Sequence, residues 1–91
     1  MDKHISIVPY DPTQGIRLLW DDGFIISVQG DHDTVVIQAN QAGLLTLARH
    51  CLTLAQATVP PGTHLHLDPA TDLEDDSIPL ILAKIADERS A

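Results

Sequence analysis

From Asn40 to Ala57 the chain carries one uninterrupted helical pattern of 18 residues, and the rest must be arranged around it. Leu44, Leu47, Ala48, Cys51, Leu52 and Ala55 recur at the three- and four-residue spacings of one helix face. That stripe predicts an amphipathic helix packed through those residues. Asn40 stands where a side-chain oxygen accepts a bond from an early free N–H, and Pro60-Pro61-Gly62 stops the chain from continuing as helix. At 1.5 Å per residue the helix spans roughly 27 Å, enough to lie across a small sheet. Burying each Leu contributes about 1.5–3 kcal/mol, so the helix depends on that sheet. Gly43 in the first turn weakens the helix, with no reason visible in its neighbours.

The flanking segments read as strands. His4 to Val8 is a short strand ended by Pro9 and Pro12, and Gly15 to Trp20 and Phe24 to Gln29 are joined by Asp21-Asp22-Gly23. Asp-Gly between apolar runs is a hairpin signal, because both residues tolerate the positive φ of a primed turn. Gly30 to Asp33 is a second tight connection into a strand at Thr34 to Ala39. After the helix, Gly62 to Asp68 is a fifth strand reached by a right-handed crossover. An acidic loop, Pro69 to Ser77, leads to a closing strand at Ile78 to Ile85. The expected fold is α+β in the order β-β-β-β-α-β-β: a mixed, mainly antiparallel sheet with one long helix on one face. One domain covers 1–91, with an N-terminal strand and loop (1–14), a core (15–86) and a tail (87–91).

Composition narrows the function. With 91 residues and single Phe24, Trp20 and Tyr10 side chains, the chain fills an aliphatic core but has little left to enclose a catalytic cleft. No run of about 18 apolar residues is present, nor an apolar N-terminal signal region. The lone Cys51 forms no internal disulfide, consistent with a cytoplasmic protein. Thirteen carboxylates against five Lys and Arg give a formal charge of −8. Neutralising phosphates needs cations, so nucleic acid and anionic membrane are excluded as partners. The same surplus suits fast encounter with a basic protein, and it equally keeps a small domain soluble. The expected topology gathers Asp21, Asp22, Asp68, Asp72, Glu74, Asp75 and Asp76 at one end with no Lys or Arg beside them in sequence. Asp21, Asp22, Asp72, Glu74, Asp75 and Asp76 are the expected partner-binding residues; the alternative is a set of solvated loop tips.

Period-two alternation puts His64, His66 and Asp68 on one strand face and Leu65 and Leu67 on the other. A His-x-His pair with a carboxylate can clamp zinc, but a complete site needs a ligand such as His4, His32 or Asp33 from another segment. His32 and Asp68 fall at opposite ends of the expected sheet. The simpler reading has the leucines under the helix and the histidines on the open face. Cys51 lies within the apolar stripe, where a buried thiol is expected rather than an activated thiolate. His50, beside the stripe, is expected to be half-exposed. The carboxylates sit in exposed loops away from any apolar pocket that would raise a pKa, and the glycines form no phosphate-binding pattern. The open sheet face, with Leu19, Ile25, Val36 and Leu80 among Arg17, Ser27, Gln38 and the two histidines, is apolar enough to meet another chain, a second copy included. Trp20 is expected in the core.

Ala39-Asn40-Gln41-Ala42-Gly43-Leu44, the Leu-rich helix, Gly62-Thr63-His64-Leu65-His66-Leu67-Asp68, and Leu73 and Ser77 before a closing apolar strand together resemble immunity protein family thirty-two of bacterial polymorphic toxin systems. The resemblance covers roughly residues 24 to 86. It implies a protein encoded beside a toxin that neutralises it by binding, without catalytic residues or a required cofactor. Gly43 would then belong to the helix-start motif. A metal-binding protein built on His64 and His66, and a plain homodimeric module, are the alternatives.

Overall fold

The computed structural model describes residues 4–87. The expected α+β class holds, but as two small antiparallel sheets rather than one mixed sheet. β1 (Ile26–Asp31) pairs with β2 (Thr34–Ala39), α1 (Gln41–Ala55) follows, and β3 (His64–Leu67) pairs with β4 (Leu80–Ala83). The His32-Asp33 turn closes the first hairpin, with His32 at φ 42°. No parallel crossover pairing forms between named strands among the described residues.

The strands expected at His4–Val8 and Gly15–Trp20 are absent. Their alternation records half-burial rather than pairing. Ile16, Leu18 and Trp20 lean on the core while Arg17 and Leu19 face out. The backbone here bonds to helix side chains instead of a ladder. Asp21 donates its N–H to Thr46 Oγ1 (3.0 Å), Tyr10 donates to Gln56 Oε1 (2.8 Å), and Ser6 O accepts from Arg49. Asp22-Gly23 does make a turn, with Gly23 at φ +75°, yet it joins no paired strands.

Asn40 starts α1 as expected. Its Oδ1 accepts from Gly43 N–H (2.8 Å) and from Ile25 N–H (3.0 Å), while its Nδ2 donates to Gly23 O (2.9 Å). One amide thus caps the helix and fixes the segment leading into β1. Gly43 now has a local reason: a Cβ there would lie 2.9 Å from Ala39 Cβ and 3.0 Å from Ile26 Cγ1, and closer still to the Ile25 carbonyl oxygen. The helix rests directly on backbone at that point. It ends at Ala55, two residues short of the expected Ala57, because Gln56 turns out of helical conformation. Lys84 Nζ donates to Gln56 O and Val59 O (2.7 Å each), placing a cation at the negative end of the helix.

The helix is rotated from the expected orientation. Its buried residues are Gly43, Thr46, His50, Thr53 and Leu54, whereas Leu44, Cys51, Leu52 and Ala55 are exposed and Leu47 and Ala48 are half-buried. At 100° per residue the two faces differ by roughly a third of a turn. Small and hydroxylated residues permit the close approach. The Thr46 and Thr53 hydroxyls donate to Ala42 O (2.9 Å) and Arg49 O (2.8 Å), so neither enters the core with an unmet donor. Ile26, Val28, Leu54, Val59, Leu65, Leu67 and Leu73 form the core, with Trp20 and Phe24 packed on it.

Candidate protein-binding surface

The acidic loop is more ordered than its composition suggests. Asp72 Oδ2 accepts from Asp68 N–H (3.0 Å), and Asp68 O accepts from the N–H groups of Asp72 and Leu73 (3.0 Å each). The chain then runs along β1: Glu74 donates its N–H to Ile26 O (2.8 Å), and Ile78 donates to Val28 O (2.8 Å). Buried Ser77 closes the gap, accepting from Val28 N–H (3.0 Å). Gln29 Nε2 donates to Asp76 Oδ2 (3.2 Å).

Of the six expected binding carboxylates, Glu74, Asp75 and Asp76 are the ones carried along β1. Glu74, Asp75 and Asp76 are exposed beside β1, and Asp22 is exposed in the turn preceding it. Asp31 and Asp33 are exposed at the far end of the hairpin. Asp21 is engaged: Arg49 Nε and Nη2 donate to its Oδ1 at 3.2 and 3.1 Å. Asp72 is half-buried in its own loop.

His64 and His66 are exposed with ring centroids 5.0 Å apart, and Leu65 and Leu67 are buried, as the alternation predicts. Among the described residues, no three His, Cys, Asp or Glu side chains are grouped to hold a metal ion. A zinc site on His64 and His66 would need a further ligand from Asp68, His4, His32 or Asp33, and none of these is grouped with the pair among the described residues.

Two expectations about α1 are corrected. Cys51 is exposed, not buried in the core. His50, expected half-exposed, is 0% exposed, and neither ring nitrogen has a hydrogen-bond partner among the described residues. Its ring stands edge-on to Trp20, which packs in turn on Phe24. Burial holds the His50 pKa below the usual imidazole value and outweighs the opposing pull of Asp72 and Asp21, with Arg49 adding to the depression.

The expected open sheet face is divided by the two-sheet arrangement. Leu19, Ile25 and Val36 are exposed, but Leu80 leans on the core. The surface that sequence reasoning missed is elsewhere. Leu44 and Leu52 on α1 and Val35 and Ile37 on β2 are all exposed. A shallow groove of about 230 Å³ lies between α1 and β4, lined by Cys51, Leu54, Ala55, Leu82, Ala83 and Lys84. One legible signal marks this region. Between Thr34 and Leu67 the chain has no Asp or Glu, and Arg49 is its only Lys or Arg. All thirteen carboxylates lie outside it.

The arrangement defines a small α+β protein with exposed carboxylates beside β1 and exposed aliphatic side chains on α1 and β2. The chain belongs to the immunity protein 32 family, whose model matches residues 34–85, more than half of its length. No curated protein and no solved structure matches it. No helix among the described residues is long and apolar enough to cross a membrane.

Proposed function

We propose that this chain is a cytoplasmic immunity protein that neutralises a basic bacterial toxin by binding it, without catalysis of its own. Family membership carries the toxin-neutralising role. The basic character of the partner rests on the acidic flank of β1, where exposed Glu74, Asp75 and Asp76 run beside the strand and Asp22 precedes it. These four make direct contact with the partner. Asp72 adds to the field, and Asp21 is largely neutralised by Arg49. Charges on such a flank raise the encounter rate, while apolar contacts formed after docking slow dissociation.

The experiment is stopped-flow association of the purified chain with the toxin encoded beside it, across a salt series. The association rate is expected to fall steeply with ionic strength. Combined Glu74→Lys, Asp75→Lys and Asp76→Lys substitutions should slow it about tenfold or more with far-UV circular dichroism unchanged. Tight binding indifferent to both salt and charge reversal overturns the role of the flank.

A further inference from the structure

The first hairpin is asymmetric. The outer edge of β1 is covered, because Glu74 and Ile78 donate to Ile26 O and Val28 O and Ser77 accepts from Val28. The outer edge of β2 pairs with nothing among the described residues. In an antiparallel pair, alternate residues turn their N–H and C=O groups toward the partner strand and away from it. Asn40 N–H bonds to Ile25 O, which puts the even-numbered residues Thr34, Val36 and Gln38 in phase with β1. Val35 and Ile37 therefore direct their backbone donors and acceptors outward.

Natural edges are protected by Lys, Pro, a bulge or an inward charge. This edge has none of them. Its residues, Thr34 to Gln38, are uncharged, rich in branched side chains and exposed on both faces, Val35 at 61%. The register with β1 is unbroken from Ile26 to Asp31.

We infer that β2 is a self-association edge, where a second copy of this chain adds its own β2 antiparallel to form a four-stranded sheet in the order β1-β2-β2-β1. Charge decides between occupants. A basic partner is attracted to the acidic flank, on the opposite side of the hairpin, and the β2 edge offers it no carboxylate. Two copies of a protein with charge −8 repel wherever acidic surfaces meet, so they associate only across acid-free surface. Pairing through β2 puts the two Glu74–Ile78 segments five strand spacings apart, about 24 Å. That exceeds the screening length of about 8 Å at physiological salt. Two-fold antiparallel pairing also sets each Asp31–Asp33 turn at the Ala39-Asn40 end of the other copy rather than against the other Asp31–Asp33 turn. An uncharged strand is its own complement under that symmetry. The inference is independent of the toxin reading.

The test combines sedimentation equilibrium with amide hydrogen exchange on the full chain. Wild type is expected at twice the monomer mass at tens of micromolar, and a monomer throughout that range overturns the inference. In the dimer, the Val35 and Ile37 amides should exchange at least tenfold more slowly than in diluted monomer, while Val36, already bonded to β1, changes little. A doubled mass with Val35 and Ile37 still exchanging freely places the contact elsewhere, for example on the exposed face of α1, and also overturns it. Ile37→Pro, which removes an outward N–H only, should give a monomer, whereas Val36→Thr should remain dimeric. A dimer that survives Ile37→Pro with its exchange pattern unaltered refutes the edge.

Discussion

The His50 imidazole meets the Trp20 indole edge-on, with ring centroids 4.4 Å apart and planes at 82°. The contact seats an ionisable ring in the core with no hydrogen-bond partner among the described residues. Neutral His50 is an aromatic filler; charged, it is a buried cation. Its folded-state pKa is depressed by burial, while the unfolded chain has the ordinary value of about 6.5. Below that value the unfolded state binds the proton first, so stability falls as pH drops through the window between the two values. Urea titrations followed by Trp20 fluorescence should give a lower midpoint at pH 5.5 than at pH 7.5. His50→Phe should reduce that difference; an equal difference in the variant would remove His50 as its cause.

Gly43→Ala sets helix propensity against space. Alanine favours the helix by about 1 kcal/mol. The new methyl would collide with the Ile25 carbonyl and crowd Ala39 and Ile26, and such overpacking costs about 1–3 kcal/mol. The collision involves backbone, which yields less readily than a side chain. The variant should be less stable by urea denaturation, although it improves the helix in isolation.

Asn40 accepts two bonds and donates one, so two substitutions separate its roles. Asn40→Ala should cost about 1–2 kcal/mol through loss of the cap. Asn40→Asp keeps acceptors for Gly43 and Ile25 but cannot donate to Gly23 O. An intermediate loss is expected, measured by thermal unfolding at neutral pH. Equal stability of wild type and Asn40→Asp would mean the Gly23 bond contributes nothing.

The rotation of α1 predicts an accessible thiol. Cys51 should react with a maleimide in the native protein at a rate close to that in urea. Leu52→Ser on the same face should change stability by no more than about 0.5 kcal/mol, whereas Leu54→Ala should cost about 2–5 kcal/mol. A protected Cys51 thiol would mean that α1 packs through its aliphatic stripe after all, or that another chain covers it, which dilution would distinguish.

Local chemistry was legible in the sequence where it acts alone. Asn40 as a cap, Thr34–Ala39 as a strand, and the inward leucines and outward histidines of β3 all follow from spacing and side-chain type. The rotation of α1 was not legible, because periodicity locates an apolar stripe without saying what covers it. Gly43, Thr46 and Thr53 look like surface or helix-weakening residues, yet they allow the helix to sit close on β1 and the Trp20 segment. The acidity of the 69–77 loop is plain in the sequence, but the alignment of Glu74, Asp75 and Asp76 along β1 depends on Ser77 and on backbone bonds that leave no mark in composition. The free edge of β2 was hidden for a related reason. A branched, uncharged strand reads as interior unless the pairing of its neighbours is known.

The segment from Glu74 to Ile78 is both the candidate docking flank and the brace on β1. A ligand gripping its carboxylates would hold the same peptide groups that keep the hairpin from peeling away. Occupancy would then be felt as slower local opening of Ile26 and Val28, deep in the interior, and the protein would gain resistance to proteolysis in proportion to how tightly it is held.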